Sequence, residues 1–218
     1  MAITLELNEL LINFESEKTP PLSFSLVEGD KAALILSRDF YERALLNFFH
    51  LLVEDFEGDA LFCGKSFRSF DEETKKQWFK SFASVSLIFP MISNLKVIEN
   101  VYLPIFYREG VKEQIFFDRA YSILTNLGIE KKFNVLPAFL SNFEKKLALL
   151  ARAKLSEPDI IYYGNIFNDM DDEKRSFYTQ KIIDFHTEDL KRITIISVRS
   201  ENDLKSVKEI GFNKIIKI

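Results

Sequence analysis

Hydrophobic and polar positions alternate through the first part of the chain, and this pattern predicts strands. Residues 3–7 and 22–26 alternate like half-buried strands, while 31–36 ends in an unbroken apolar run typical of a strand buried on both faces. A short strand is expected at 60–63, after a helix at 41–53 whose leucines and phenylalanines share one face. The pattern therefore predicts a β-rich N-terminal region that contains one early helix.

Beyond residue 70, predicted helices and buried strands alternate along the chain. Helices are predicted at 72–81 and 171–186, and the pattern from 97 to 155 is helical. Buried strands are predicted at four places, residues 84–89, 159–163, 194–198 and 215–218. Strands that alternate with crossover helices favour an α/β fold with a mostly parallel sheet. We expect one domain, residues 1–218, with a helical lobe at about residues 90–155.

Composition narrows the class of protein. The 218 residues carry 29 Lys and Arg against 33 Asp and Glu, a net charge of −4, so no nucleic-acid partner is expected. Cys63 is the one cysteine, which fits a reducing compartment and gives neither a disulfide framework nor a thiolate metal site. The longest uncharged stretch, 81–95, contains Pro90 and is too short to span a membrane.

Several short sequence segments, which follow one another in order and at fixed spacing, carry a family resemblance. They are Asn94–Pro104, Arg119–Ala120 with Leu127–Ile129, Leu140–Ser141, Ala151–Ala153 and Pro158–Tyr163. Together they resemble the nucleotide-binding subunit of ABC transporters over nearly the whole chain. The resemblance implies a P-loop NTPase-like (ABC ATPase) core with a mostly parallel sheet, an N-terminal antiparallel β region and an inserted helical lobe.

The resemblance also identifies the phosphate-binding positions of the P-loop. The three glycine positions hold Leu36, Asp39 and Tyr41, the lysine position holds Glu42, and the position of the Mg²⁺-binding hydroxyl holds Arg43. Side chains therefore stand where backbone N–H groups have to approach phosphate, and Glu42 repels it. Although the family implies ATP and Mg²⁺, we expect no bound cofactor and no metal.

The remaining catalytic positions differ from the family in the same way. Pro90 stands at the Q-loop glutamine, Gly164 at the Walker B aspartate, Asn165 at the catalytic glutamate and Arg199 at the switch histidine. An amide cannot accept a proton from the attacking water, so general-base catalysis is not expected.

The signature motif keeps little of the family pattern. It is replaced by residues 140–144, Leu-Ser-Asn-Phe-Glu, where Ser141 is retained, as is Asp171 at the D-loop position. Because the P-loop and signature are both altered, a homodimer has no competent nucleotide site. Phe14 matches the adenine-stacking aromatic, although a hydrophobic strand residue is the preferred interpretation.

Other candidate motifs have simpler explanations. Gly64–Ser66 imitates the end of a P-loop but lacks its first glycine, so a hairpin turn is predicted. His50 and His186 have no second ligand at metal spacing, and we expect one helix-borne contact and one surface histidine. Residues 75–80 predict an amphipathic helix, and 144–146 a solvated helical turn.

The resulting hypothesis is a pseudo-ATPase that docks on a membrane permease through the region from Pro90 to Leu103. Residues 98–104 resemble the lipoprotein-release and cell-division branch, and Tyr162–Tyr163 the phospholipid-trafficking branch, which favours a role in lipid or lipoprotein transport at the cytoplasmic face of the membrane. The family implies pairing with another ABC ATPase subunit as a homo- or heterodimer. Two alternatives remain: the silent half of a heterodimer that binds ATP at one composite site, and a free cytosolic interaction module.

Overall fold

The computed structural model describes residues 2–109 and 113–218. The strands in these ranges are β1 (Thr4–Phe14), β2 (Glu17–Lys18), β3 (Leu22–Val27), β4 (Lys31–Ile35), β5 (Phe56–Phe62), β6 (Lys65–Ser66), β7 (Phe82–Val85), β8 (Ile160–Tyr163), β9 (Ile193–Val198) and β10 (Lys214–Lys217). The α-helices are α1 (Asp39–Phe49), α2 (Glu72–Ser81), α3 (Val97–Glu109), α4 (Glu113–Asn126), α5 (Asn142–Ser156), α6 (Asp172–Glu188) and α7 (Glu201–Ser206).

A parallel sheet with the strand order β10-β4-β9-β8-β7 forms the centre of the fold. All residues of β8 and β9 are buried, as expected for parallel strands that are covered by helices or a second sheet on both faces. Because the strands run in one direction, the chain segments that follow β4, β8 and β9 emerge at the same edge of the sheet. This edge therefore brings together residues 36–43, 164–165 and 199, which are far apart in sequence.

The predicted N-terminal antiparallel region is confirmed as a second sheet. In it, β1 pairs with β3 on one side and with β5 on the other. β1 is longer than the predicted strand at 3–7, because a register shift between Leu7 and Leu10, with Glu9 at φ 48°, interrupts the alternation that sequence patterns detect. The predicted turn is also confirmed: β5 and β6 form a hairpin around Cys63 and Gly64, both at positive φ.

Two predicted boundaries are wrong. α1 covers Asp39–Phe49 and not 41–53: it begins two residues earlier, and it ends where Leu51 takes a left-handed conformation, which leaves Leu52 63% exposed. β7 covers Phe82–Val85 and not 84–89, because the apolar residues that follow it lie in a turn. Periodicity located both elements but could not place their ends.

The two faces of the parallel sheet are covered differently. On one face, α1 and the antiparallel sheet share a core with Leu34, Tyr162 and Ile195. On the other face, α3, α4, α5 and α6 pack on Ile161, Tyr163 and neighbouring residues. The helices α3 to α5 occupy the range of the predicted helical lobe, of which residues 110–112 lie outside the described part of the chain. That the chain is a single domain stays a prediction.

None of the helices in the described ranges is both long enough and apolar enough to cross a lipid bilayer.

Candidate functional site

The helix α1 occupies the place of the phosphate-binding loop that the family resemblance implies. Leu36 continues the sheet by donating its backbone N–H to Val198, and Arg38 is the extended N-cap residue, with φ −129° and ψ 140°. Asp39 is already the first helical residue. The backbone from residue 39 onward is therefore committed to helix, and no glycine is present to open a wide turn around an anion.

Glu42 lies in the first turns of this helix and points into the protein. Its side chain is 1% exposed, and its carboxyl group lies directly against Gly164, at the end of β8. A Cβ atom added to Gly164 would stand 2.2 Å from Glu42 Oε1 and 2.9 Å from Ser86 Oγ. The missing side chain at Gly164 is therefore what makes room for the carboxyl group of Glu42.

Burial raises the pKa of Glu42 to about 7. The carboxylate of Asp39 contributes to this rise, while Arg199 and hydrogen bonding from Ser197 and Asn165 act in the opposite direction. Burial dominates because an ionised carboxyl group loses its hydration inside the protein. Near neutral pH, Glu42 is thus divided between its neutral and ionised forms.

Within residues 2–109 and 113–218, several buried polar atoms around Glu42 have no hydrogen-bond partner. They are Glu42 Oε1 itself, Asn165 Oδ1 and the hydroxyl oxygen of Tyr162. Asn165 has φ 44° and donates its backbone N–H to Ser197 Oγ at 2.9 Å, which holds the residue beside the end of β9. Unpaired buried polar groups each carry a desolvation penalty, so this region is a polar inclusion that weakens the core.

The positive charges at the mouth of this region are paired with carboxylates of the same chain. Arg199 forms an ion pair with Asp39. Arg38 pairs with Glu17 and Arg43 with Glu15, each at 2.6 Å. Each of these three guanidinium groups is therefore paired with a carboxylate of the same chain.

Phe14, the candidate adenine-stacking residue, is part of β1, and its ring packs on Phe40 with a centroid distance of 6.2 Å. Phe40 in turn contacts Tyr41, and the guanidinium group of Arg38 lies 5.3 Å from the Phe40 ring centre. The preferred interpretation of Phe14 as a hydrophobic strand residue fits these contacts.

A cleft of about 340 Å³ borders this site and joins most of the predicted nucleotide-binding positions. Among the residues that line it are Asp39, Glu42, Arg43, Ser86, Lys146, Gly164, Asn165, Asn168, Asp169 and Arg199. Lys146 is 3% exposed and donates to the carbonyl oxygen of Asn168. The prediction that residues 144–146 form a solvated turn is therefore wrong at Lys146, because helix α5 turns this residue inward.

Known proteins with a similar sequence or structure support the fold described above. No protein-family model matches the chain. ABC transporter H family member 2 of Dictyostelium discoideum is 23% identical over 186 residues, 84% of this chain and 36% of the relative. The lipoprotein-releasing system ATP-binding protein LolD of Treponema denticola is 22% identical over 192 residues, 88% of this chain and 84% of the relative. The chain thus spans about a third of the first relative and most of the second.

Among solved structures, the dimeric bacterial ABC transporter cassette MJ0796 superposes with a TM-score of 0.81 at 20% identity, covering 98% of this chain and 94% of the cassette. This match shows a shared fold, and the sequence relatives show what the chain is similar to. The chain is a homologue of ABC transporter ATP-binding proteins. Its resemblance to the lipoprotein-release branch and its P-loop NTPase-like fold, both expected from the sequence, are confirmed.

Ser141, at the signature position, has a structural role in this ABC homologue. Ser141 caps α5: its hydroxyl accepts from the backbone N–H of Glu144, and Glu144 accepts from the N–H of Ser141 at 2.7 Å. Asp171 caps α6 in a similar way by accepting from Lys174 at 2.8 Å. Neither residue lines the cleft beside Glu42, so the chain does not bring its signature and P-loop positions together.

Neither histidine lies fully exposed on the surface, since His186 is buried and His50 is half-buried. His50 is the C-cap residue of α1, and His186 is 7% exposed with Nδ1 2.9 Å from Thr194 Oγ1. The expectation of one surface histidine is therefore wrong, because the periodicity of α6 does not show that its last turn faces the sheet. Across residues 2–109 and 113–218, no three His, Cys, Asp or Glu side chains are grouped as metal ligands.

Pro90 lies in a second and larger cleft, which we call the aromatic groove. This groove, about 650 Å³, is lined by His50, Lys76, Phe79, Phe82, Ala83, Ser84, Phe89, Pro90, Pro104, Tyr107, Arg152, Ala153 and Ser156. Tyr107 is 79% exposed and Phe79 46% exposed at its rim. Sequence analysis pointed to this part of the chain through Pro90 but missed His50, Arg152 and Tyr107, because only the fold brings α1, α3 and α5 together here.

Proposed function

We propose that this chain is a non-hydrolysing ABC cassette that serves as a docking subunit for a membrane permease. The observation that carries the proposal is the burial of the Glu42 carboxyl group against Gly164. Glu42 and Gly164 stand where the family places a phosphate-binding lysine and a magnesium-binding aspartate. Both charges of the family are thus absent, and a carboxyl group fills the space that they leave.

A triphosphate and Mg²⁺ do not fit these residues. The helical backbone from Asp39 offers no loop of N–H groups, and Glu42 and Asp39 repel phosphate at close range. Asn165, at the position of the general base, cannot take a proton from water. We therefore derive no chemical step for this site, and the proposed role depends on the fold alone.

The proposed transport class comes from the relatives. The LolD protein of Treponema denticola is described as part of a lipoprotein-releasing system. By analogy we propose that the permease partner handles lipids or lipoproteins, and that the chain binds at the cytoplasmic face of the membrane together with another ABC ATPase subunit.

Docking through the aromatic groove is supported by the exposure of its rim. Within the predicted docking segment, Ile98 and Tyr102 are only 3% and 6% exposed, so they support helix α3 and are not available to a partner. Ile92 is 46% exposed, and Tyr107, about one turn beyond the segment in helix α3, is 79% exposed. Exposed aromatic and aliphatic side chains around a concave surface are typical of a protein interaction site.

The first prediction concerns nucleotide. Isothermal titration of the purified chain with Mg-ATP will give no heat of binding up to about 1 mM. The melting temperature will not change either, whereas a ligand that binds adds about 2.7 kcal/mol of stability at 100 times its Kd. Glu42→Gln serves as the matched variant. It removes the negative charge but keeps the shape, and we expect no gain in binding, because the helical backbone at Asp39 is unaltered.

A Kd for Mg-ATP in the micromolar range, about −8 kcal/mol, in the unmodified chain would contradict the proposal and favour the silent half of a heterodimer. Binding that appears only in Glu42→Gln would show that charge alone excludes the nucleotide. It would also show that the helical backbone at Asp39 does not exclude the nucleotide.

The second prediction concerns the membrane. In the source cells, the tagged chain will sediment with membranes, and Tyr107→Asp will move most of it to the supernatant, because a charge is placed on the exposed rim of the aromatic groove. Leu190→Asp is the control, since Leu190 is a 70% exposed apolar residue that does not line the groove. A chain that stays in the supernatant in all three forms would support the free cytosolic module.

A further inference from the structure

The carboxyl group of Glu42 is buried without a cation bound to it. Glu42 is 1% exposed, and within residues 2–109 and 113–218 it takes part in no ion pair. Its Oε1 atom is buried and has no hydrogen-bond partner in these ranges. A buried carboxylate that lacks a counter-charge destabilises the folded chain. A ligand that brings positive charge to Oε1 would therefore be favoured.

The cationic side chains that line the cleft beside Glu42 have other partners. They are Arg199 with Asp39, Arg43 with Glu15, and Lys146 with the carbonyl oxygen of Asn168. Arg43 Nε has no partner in the described ranges, but a terminal nitrogen of the same group lies 2.6 Å from Glu15. Arg199 favours the ionised form of Glu42 less strongly than Asp39 opposes it. The charge of Glu42 is thus left without a cation of its own.

Several oxygen atoms lie close to this carboxyl group. A single point, where a Cβ atom of Gly164 would stand, is 2.2 Å from Glu42 Oε1 and 2.9 Å from Ser86 Oγ, so these two oxygens are neighbours. Asn165 follows Gly164 and is held by donating its backbone N–H to Ser197 Oγ at 2.9 Å. Its Oδ1 is also buried without a partner in the described ranges. Two unsatisfied acceptors side by side require either a hydrogen-bond donor or a cation.

The charge of the ligand follows from the groups around it. A water molecule could donate to both oxygens, but it would leave the charge of Glu42 uncompensated. Sites for divalent ions usually combine several carboxylates or imidazoles, and no such group of three is present in the described ranges. One carboxylate among neutral oxygens matches a single positive charge. The cleft of about 340 Å³ has room for a small ion with part of its hydration shell.

We propose that this cleft binds a monovalent alkali-metal cation, with Glu42 Oε1, Asn165 Oδ1 and Ser86 Oγ as its protein ligands. The site differs from the Mg²⁺ site of the family, which uses the aspartate that Gly164 replaces. The ion joins α1, the turn after β7 and the end of β8, and it binds only the folded chain, so it stabilises the fold. Ion binding here does not depend on the docking role.

The experiment compares melting temperatures of the intact chain at pH 8 in the chlorides of lithium, sodium, potassium and choline at equal ionic strength. One alkali ion will raise the melting temperature above that in choline, by about 3–6 °C at ten times its Kd, and the rise will saturate. Glu42→Gln keeps the shape but not the charge and will lose this response. The difference in melting temperature between this variant and the unmodified chain will therefore narrow when choline is replaced by the preferred ion.

Two further variants complete the design. Asn165→Gly removes Oδ1 and tolerates the φ of 44° at this position, and we expect it to weaken the response. Glu73→Gln, on the exposed side of α2, is the matched control and should respond like the unmodified chain. A cooperative transition in choline shows that each variant is folded. If a variant does not fold, selectivity among the ions in the unmodified chain remains the deciding measurement.

Equal melting temperatures in all four salts would overturn the proposal, because the cleft would then hold water only. A rise that persists in Glu42→Gln also overturns it, since the ion would act elsewhere on the chain. A larger rise with millimolar Mg²⁺ or Ca²⁺ than with any alkali ion would contradict the assignment to a monovalent cation. None of these outcomes decides whether the chain docks on a permease, which membrane sedimentation tests separately.

Discussion

Gly164→Asp will destabilise the chain by at least about 4 kcal/mol, the largest single effect that we expect. The new side chain would meet Glu42 Oε1, which lies 2.2 Å from the position of its Cβ, and Ser86 on the other side. Two carboxyl groups would then share a desolvated space, and at least one of them would have to stay protonated. Urea denaturation of the purified chain at pH 7 measures this change in the free energy of unfolding.

Two further variants separate crowding from charge. Gly164→Ala adds the clash without a second carboxyl group, and we expect a smaller loss, about 1–3 kcal/mol. Glu42→Lys combined with Gly164→Asp places opposite charges side by side, and we expect it to recover stability relative to Gly164→Asp alone. If Gly164→Asp unfolds within 1 kcal/mol of the unmodified chain, Glu42 does not occupy the space that we describe.

Glu42→Gln will raise stability at pH 8 by on the order of 2–3 kcal/mol. The pKa of Glu42 rises from its ordinary 4.5 to about 7 in the folded chain. Between these values the folded state binds more protons than the unfolded state, so the unmodified chain loses stability as the pH rises from 4.5 to 7. Glutamine has the same shape but cannot ionise, so the variant avoids this loss.

Melting temperatures across pH 5 to 8 check this prediction. Each kcal/mol corresponds to about 2–4 °C in a chain of this size, so the variant should melt several degrees higher at pH 8 and close to the unmodified chain at pH 5. Glu73→Gln, on the exposed side of α2, is the control and should show no pH-dependent difference. A Glu42→Gln curve parallel to that of the unmodified chain would mean that Glu42 ionises normally.

His50 adds a second test with the opposite sign. Its pKa falls from 6.5 to about 4 on folding, so the unfolded state binds more protons between these values, and stability decreases as the pH falls below 6.5. In the unmodified chain this slope opposes that of Glu42 over most of the same range. Glu42→Gln should therefore reveal an acid sensitivity that the unmodified chain conceals.

Sequence analysis predicted the elements of the fold well, because hydrophobic periodicity and the segments that resemble the family both indicate buried positions. The α/β class and the N-terminal antiparallel sheet are confirmed, and α2 has the predicted bounds, since Asp71 is a strong N-cap signal. The errors fall where tertiary packing decides, as at Leu52, which continues the apolar stripe of α1 but lies beyond the end of that helix.

The candidate site was predicted as a set of positions but not as an arrangement. The substitutions at Glu42 and Gly164 were each visible in the sequence, yet their contact was not, because 122 positions along the chain separate them and only the parallel sheet joins them. The Arg152 environment was missed for a related reason. Only the fold brings this residue of α5 beside Phe89 and the end of α1.

The contact between Glu42 and Gly164 also bears on the evolution of the chain. Introducing either family residue alone creates an unfavourable state: an aspartate at 164 meets the carboxyl group of Glu42, and a lysine at 42 faces Gly164, where the family has an aspartate. A change to the family's pair of residues therefore has to pass through a less stable intermediate. The two positions are coupled in this way, so the stability of the core opposes exchange at either one alone.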